Sequence, residues 1–249
     1  MAGPEGTIMA PGVLRGRALP ILLVLGSLAA LLPAGSEALP VQVVSVKTYY
    51  TLSLAGPAAP GQGSQPYVRY QAECRYLNWG SSRWVQIYDP ELASLPHVEY
   101  RAWVDRTSLP AQKFGNGYVM QLFLRDQGSA TVQVSSLQRV LPVDPARKID
   151  EFEDLIHWWG WRPPIEDFWI VVDLGGNYAA YRKQTPAFGF GGSPLAPSLS
   201  FRQFLSNRIV QISPGGYQSG GNKIWWHARN IWKPEVDSTL HVQWQAWYR

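Results

Sequence analysis

The chain has 249 residues and a formal net charge of +4, and it is 46% hydrophobic but only 16% charged. That length holds one large domain or two small ones around a sizeable core, and the wealth of aromatics (12 Trp, 12 Tyr, 8 Phe) excludes a disordered chain. A single cysteine excludes an intrachain disulfide framework and any multi-cysteine zinc or iron–sulfur site, and the 23 glycines without a triplet period exclude collagen.

The first 38 residues read as a targeting segment. Arg15 and Arg17 flank an unbroken apolar run, Ala18–Leu32, which Pro33 interrupts; Ser36 and Ala38 then supply small residues at positions −3 and −1 of a cleavage site. The run has 15 residues, short of the roughly 20 that cross a bilayer. A cleavable signal peptide over 1–38 is expected, with retention as an uncleaved anchor the alternative. No later stretch is long and uncharged enough to span, so a secreted, periplasmic or cell-surface protein starting at Leu39 is expected. Lys and Arg are scattered, which argues against a nucleic-acid partner. The pI of 9.2 suits weak attraction to anionic surfaces such as cell-wall polymers.

From Val41 to about Leu141 the pattern is strand-like. Val41–Leu54, Tyr67–Leu77, Trp84–Tyr88, Val98–Val104, Tyr118–Arg125 and Thr131–Val140 are rich in Val, Thr and aromatics, and turn residues separate them. Gly56–Pro66 is a polar loop, and Arg125–Ser129 is expected to close a hairpin between the last two strands. Cys74 falls at an inward position of an alternating strand. This predicts a buried inert thiol, with an intermolecular bridge or a nucleophile as alternatives.

Asp144-Pro145 then offers an N-cap followed by proline at the first helical position. Ile149, Phe152, Ile156 and Trp159 recur at helical spacing, so an amphipathic helix is expected near 145–159. After it Phe168–Leu174 reads as a central strand, Gly175-Gly176-Asn177 as a turn, and Tyr178–Lys183 as its hairpin partner. Ser200–Leu205 suits one helical turn; Arg208–Ile212, Lys223–Trp226 and Leu240–Tyr248 read as strands. The predicted fold is mainly β: an antiparallel β-sandwich or barrels with that one helix. The expected parts are 39–141, β-rich, and 145–249, Trp-rich, the two able to form one continuous domain.

Two fragments resemble known families. Val98-Glu99-Tyr100 is similar to the nucleophile strand of small secreted jelly-roll xylanases, and Gly215–Gly220 to their acid-bearing strand, but Gly215 stands where that family carries its acid glutamate. Trp84-Val85-Gln86-Ile87 and Arg101-Ala102-Trp103-Val104, with Leu109, resemble bacterial SH3-like wall-binding modules, which implies a small barrel in the first part. Ala102 replaces that family's usual glycine.

Nine of the 12 Trp lie in the second part, more than interior packing readily absorbs. The last strand alternates Leu240, Val242, Trp244, Ala246 and Tyr248 with His241, Gln243, Gln245 and Trp247. Amides beside an aromatic plate suit sugars, whose rings offer C–H faces and whose hydroxyls seek hydrogen bonds. Trp103, Trp161, Trp226, Trp247, Gln243 and Gln245 are therefore the candidate ligand-binding residues. For a glycosidase, which needs two converging carboxyls, the candidates are Glu99, Glu166 and Asp173, with Asp167 beside them. His97, His157, His227 and His241 lack ligand spacing, and Gly216–Lys223 lacks the Gly-Lys-Ser/Thr of a phosphate loop, so no metal or cofactor is expected.

These features favour a non-catalytic exported binder of a glycan or cell-surface polymer. The alternatives are a secreted glycoside hydrolase and a structural or assembly subunit joined to other proteins.

Overall fold

The computed structural model describes residues 41–53, 66–156, 165–184, 200–231 and 239–246. The signal segment, most of the loop after Val41–Ser53, and Trp158, Trp159, Trp161, Trp232 and Trp247 lie outside the described residues.

Among the described residues fifteen strands follow one another: β1 Val41–Ser53, β2 Tyr67–Asn78, β3 Arg83–Pro90, β4 Val98–Val104, β5 Thr107–Leu109, β6 Ala111–Lys113, β7 Gly117–Leu124 and β8 Ser129–Arg139. Then come β9 Leu141–Asp144, β10 Ile149–Leu155, β11 Ile165–Asp173, β12 Ile209–Ser213, β13 Gln218–Gly220, β14 Lys223–Ile231 and β15 Thr239–Gln245. Two helices among the described residues, α1 Gly175–Gln184 and α2 Phe201–Arg208, sit between β11 and β12. The fold is mainly β and sandwich-like.

The strands form an eight-stranded sheet in the order β13-β14-β11-β1-β2-β8-β4-β5, a four-stranded sheet β12-β15-β10-β9 and a three-stranded sheet β3-β7-β6. Every pairing is antiparallel except β1 with β11. The large sheet thus takes strands from both sides of residue 141.

Strict alternation builds its buried face. On β2, Val68, Tyr70, Ala72, Cys74 and Tyr76 are buried, while Arg69, Gln71 and Arg75 are exposed. Cys74 is a free, sealed thiol, as its parity predicts. Phe152, Leu240, Val242 and Trp244 of the four-stranded sheet join that core, as do Ile87, Met120, Leu122 and Leu124 of the three-stranded one. The Tyr50 hydroxyl donates to Asp154 Oδ2 at 2.8 Å across the layers, and Tyr100 donates to Asp89 at 2.6 Å. Both small sheets therefore cover one face of the large sheet, and among the described residues no element covers its other face.

Four expectations need correction. Residues 149–155 are strand β10, paired with β15, and not an amphipathic helix. Asp150, Phe152 and Asp154 are buried at period two, and the apolar residues spaced by three and four belong to both faces of this strand. The Asp144 signal is genuine but caps only a tight turn: its Oδ1 accepts from Arg147 N at 2.9 Å, and Lys148 (φ +57°) reverses the chain. Gly175–Gln184 is helix α1 and not a turn and hairpin. Asp173 Oδ1 accepts from Gly175 N at 2.8 Å to start it, and a Cβ on Gly176 would lie 3.3 Å from Leu52 O. Arg125–Ser129 joins β7 to β8 across two sheets and closes no hairpin. Trp84 and Trp103, the two arms of the SH3-like resemblance, likewise stand in different sheets.

The remaining strands lie close to their predicted places. The predicted helical turn at Ser200 extends to Arg208, with Ser200 and Gln203 forming a reciprocal capping box.

Candidate functional site

The open face of the large sheet is built by the same alternation as the core, one residue out of phase. Register aligns its side chains in rows across the strands. One row runs His227, Trp169, Lys47, Glu73, Gln133, Trp103; the next runs Trp225, Val171, Tyr49, Gln71, Ser135, Arg101. Each row thus carries aromatics at its ends or middle and amides or charges between them.

The rows hold themselves by local bonds. Gln133 Nε2 donates to Glu73 Oε2 at 3.1 Å. Trp169 and His227 stack at 3.8 Å between ring centres, and Asp167 Oδ1 accepts from Trp169 Nε1 at 3.0 Å and lies 2.9 Å from His227 Nε2. Trp225 Nε1 donates to Gln218 at 3.0 Å.

A groove of about 550 Å³ lies over β1, β2, β8 and β4, with Tyr49 and Trp103 among its aromatic walls and Gln71, Gln133, Ser135 and Arg101 among its polar groups. Glu99 also lines it. Its backbone takes φ +53°, where the β4–β8 register shifts between Val98 and Arg101. That irregularity breaks the alternation expected for β4, so that Val98 is exposed and Tyr100 half-buried. A non-glycine residue held there costs about 1–2 kcal/mol of backbone strain.

Of the sequence-derived candidates, the groove brings together Trp103 and Glu99. Trp226 is half-buried against the core, with its Nε1 donating to Pro214 O at 3.1 Å. Gln243 donates to Glu151 at 2.8 Å, and Gln245 accepts from Arg208 at 2.6 Å, both in the four-stranded sheet. Trp161 and Trp247 lie outside the described residues.

Asp173 caps α1 and pairs with Lys223 at 3.5 Å. Glu166 and Asp173 are seven residues apart on β11, a span of roughly 23 Å, and β11 lies four strand spacings, about 19 Å, from the strand of Glu99. A glycosidase pair needs carboxyls within about 5–9.5 Å, so these three do not converge.

Two arrangements escaped the sequence reading. Trp84, Gln86 and Tyr88 alternate outward on β3, with Trp84 68% exposed and its ring 5.3 Å from that of Phe123 on β7. Trp84 and Phe123 border a second groove of about 930 Å³, where Pro110 carries the chain from β5 to β6. The outward parity of β3 was readable; its pairing with Phe123 was not.

The second is a buried node. His97 Nδ1 lies 2.7 Å from Ser136 Oγ, and its Nε2 lies 2.8 Å from the Gln138 amide and 3.6 Å from Asp154 Oδ1. Burial pulls the His97 pKa down, but the hydrogen bond and charge of Asp154, then the charge of Asp89, raise it above its ordinary 6.5. The set has the composition of a Ser-His-Asp triad, yet all three residues are buried. With no access for substrate it acts as a structural clasp between the layers. Burial likewise pushes the Cys74 thiol up, away from nucleophilic character.

No helix among the described residues is long and apolar enough to cross a membrane, and among them no group of His, Cys, Asp and Glu could hold a metal ion.

No protein-family model matches the chain, and no curated protein does. Among solved structures, a Legionella pneumophila protein provisionally assigned to nutrient binding is similar at a TM-score of 0.53 and 10% identity, covering 82% of this chain and 68% of that one. An M1 zinc metallopeptidase from Deinococcus radiodurans reaches 0.34 at 7% identity over 83% of this chain and 42% of its own. The pilus backbone protein of Streptococcus pneumoniae reaches 0.30 at 7% identity over 44% and 30%. At these identities the first likeness concerns the fold alone, and the other two are too distant to carry an argument.

Proposed function

We propose that this protein is an exported, non-catalytic binder of a glycan or other cell-surface polymer, held on the open face of the eight-stranded sheet. The observation that carries the reading is the groove in which the Tyr49 and Trp103 rings stand among Gln71, Gln133, Ser135 and Arg101. Ring faces cover the C–H patches of a sugar and exclude water there, while amides, hydroxyl and guanidinium meet its hydroxyls. Rows that continue across neighbouring strands suit an extended chain better than a compact metabolite.

Export rests on the basic-flanked apolar run Ala18–Leu32. The separation of Glu99, Glu166 and Asp173 favours binding over glycoside hydrolysis.

Affinity electrophoresis and calorimetry against a polysaccharide panel test the proposal. Retardation by at least one polymer is expected, weakened about tenfold by Trp103→Ala or Tyr49→Ala (on the order of 1.4 kcal/mol each) and unchanged by Gln243→Ala. Absence of retardation by every polymer refutes it.

A second reading, an assembly subunit, draws support from the exposed Trp79, Trp84, Phe114 and Phe123. A stable oligomer in sedimentation, lost in Trp84→Ala and with no glycan affinity, favours that reading instead.

A further inference from the structure

We infer that the polymer is acidic, a polysaccharide bearing carboxylates or phosphates along its length; the inference rests on the glycan-binding reading above and specifies its ligand. The groove half of the open face, over β1, β2, β8 and β4, carries five cations at outward positions: Lys47, Arg69, Arg75, Arg101 and Arg139. Two carboxylates share that half-face, Glu73 and Glu99, and the first is already engaged by the Gln133 amide. None of the five cations makes an ion pair among the described residues.

The acids of the adjoining half-face are treated differently. Asp167 is met by Trp169 and His227, and Asp173 by the Gly175 amide and Lys223. On this face, then, Asp167 and Asp173 have protein partners, whereas the five cations of the groove half make no ion pair among the described residues. Register gives the spacing: Arg69 and Arg101 lie two strands and two residues apart, about 12 Å between Cα atoms, and Arg69 and Arg75 about 20 Å along one strand.

Like charges displayed together on one sheet face repel and lower the stability of the free protein. An oxyanion-bearing chain lying across the strands turns that repulsion into attraction, with the planar guanidinium groups of Arg69 and Arg101 matched to its anions. Tyr49 and Trp103 among the same cations favour a sugar backbone over a nucleic acid, because a duplex offers this flat face only its phosphates.

The test is calorimetry of the full chain with polygalacturonate (carboxylate), a phosphate-bearing wall polymer, neutral dextran and duplex DNA. Binding to one or both acidic glycans is expected, and the two arms identify which anion serves. Affinity should fall about tenfold between about 20 and about 200 mM salt as the Debye length shrinks. Arg69→Gln and Arg101→Gln should each weaken it about tenfold, and Arg69→Lys and Arg101→Lys, which keep the charge but lose the planar fork, should weaken it less. These side chains are exposed, so the Gln variants should melt at or slightly above the wild-type temperature.

Equal, salt-independent binding of dextran overturns the acidic assignment and leaves the glycan reading standing. DNA binding tighter than any acidic glycan also overturns it. Binding of no glycan at all removes both.

Discussion

Replacing His97 with alanine tests the buried clasp most directly. The imidazole is almost sealed, and Asp154 is fully buried beside it. Removing one partner of a buried pair costs about 3–5 kcal/mol, because the other charge stays desolvated. Asp154 would still accept from the Tyr50 hydroxyl at 2.8 Å and from Leu155 N at 2.9 Å, which places this loss near the lower limit, about 3 kcal/mol. The lost partners of Ser136 and Gln138 add about 0.5 kcal/mol each, about 1 kcal/mol together. The sum, about 4 kcal/mol, is a large share of the roughly 5–15 kcal/mol that stabilises a domain. It lowers Tm by about 8–16 °C for a chain of this size.

Urea unfolding followed by Trp fluorescence measures the loss, with the slope against denaturant unchanged. Asp154→Asn in the same background should recover part of it, giving a coupling of about 1 kcal/mol or more. A loss below about 1 kcal/mol in His97→Ala would refute the view that this residue clasps the two layers.

The same residue gives a pH dependence. Its folded-state pKa is raised, so its contribution is fully present below about pH 6.5 and is lost as pH climbs through the folded value. The stability difference between wild type and His97→Gln should therefore be constant below about pH 6.5 and shrink as pH climbs above it; a difference that stays constant on both sides contradicts it. Cys74 should stay unmodified by a thiol reagent in the folded protein and react at the rate of unfolding in urea; rapid labelling of the native state would contradict its sealed placement. Glu153→Thr, on the half-buried outward side of β10, should raise stability by about 0.5 kcal/mol, whereas a helix at this position predicts a loss of similar size. Glu99→Gly should gain about 1 kcal/mol by releasing the positive φ, and an equal-sized loss in thermal unfolding argues that the side chain supports the bulge.

Most of the β architecture was legible in the chain itself. Alternation in Tyr67–Asn78 or Thr239–Gln245 is a local property: a strand with one wet and one dry face must place unlike residues on its two sides, whatever lies beyond it. The cap at Ser200 was equally local. Where local rules admitted two answers, partners distant in sequence decided. The spacing of Ile149, Phe152 and Ile156 suits a helix, but Asp154 is buried beneath Tyr50, 104 residues away, and β15 supplies the backbone bonds that fix a strand.

The candidate site divides in the same way. Trp103 and Glu99 were found because aromatics and acids stand out in any strand; their neighbours Tyr49, Gln71 and Gln133 come from other strands and carry no local mark. Composition and parity determined which side chains face outward. Only the strand order determined which of them meet, since a hydrogen-bonded sheet brings residues tens of positions apart within about 5 Å and carries others, such as Glu99 and Asp173, to strands about 19 Å apart.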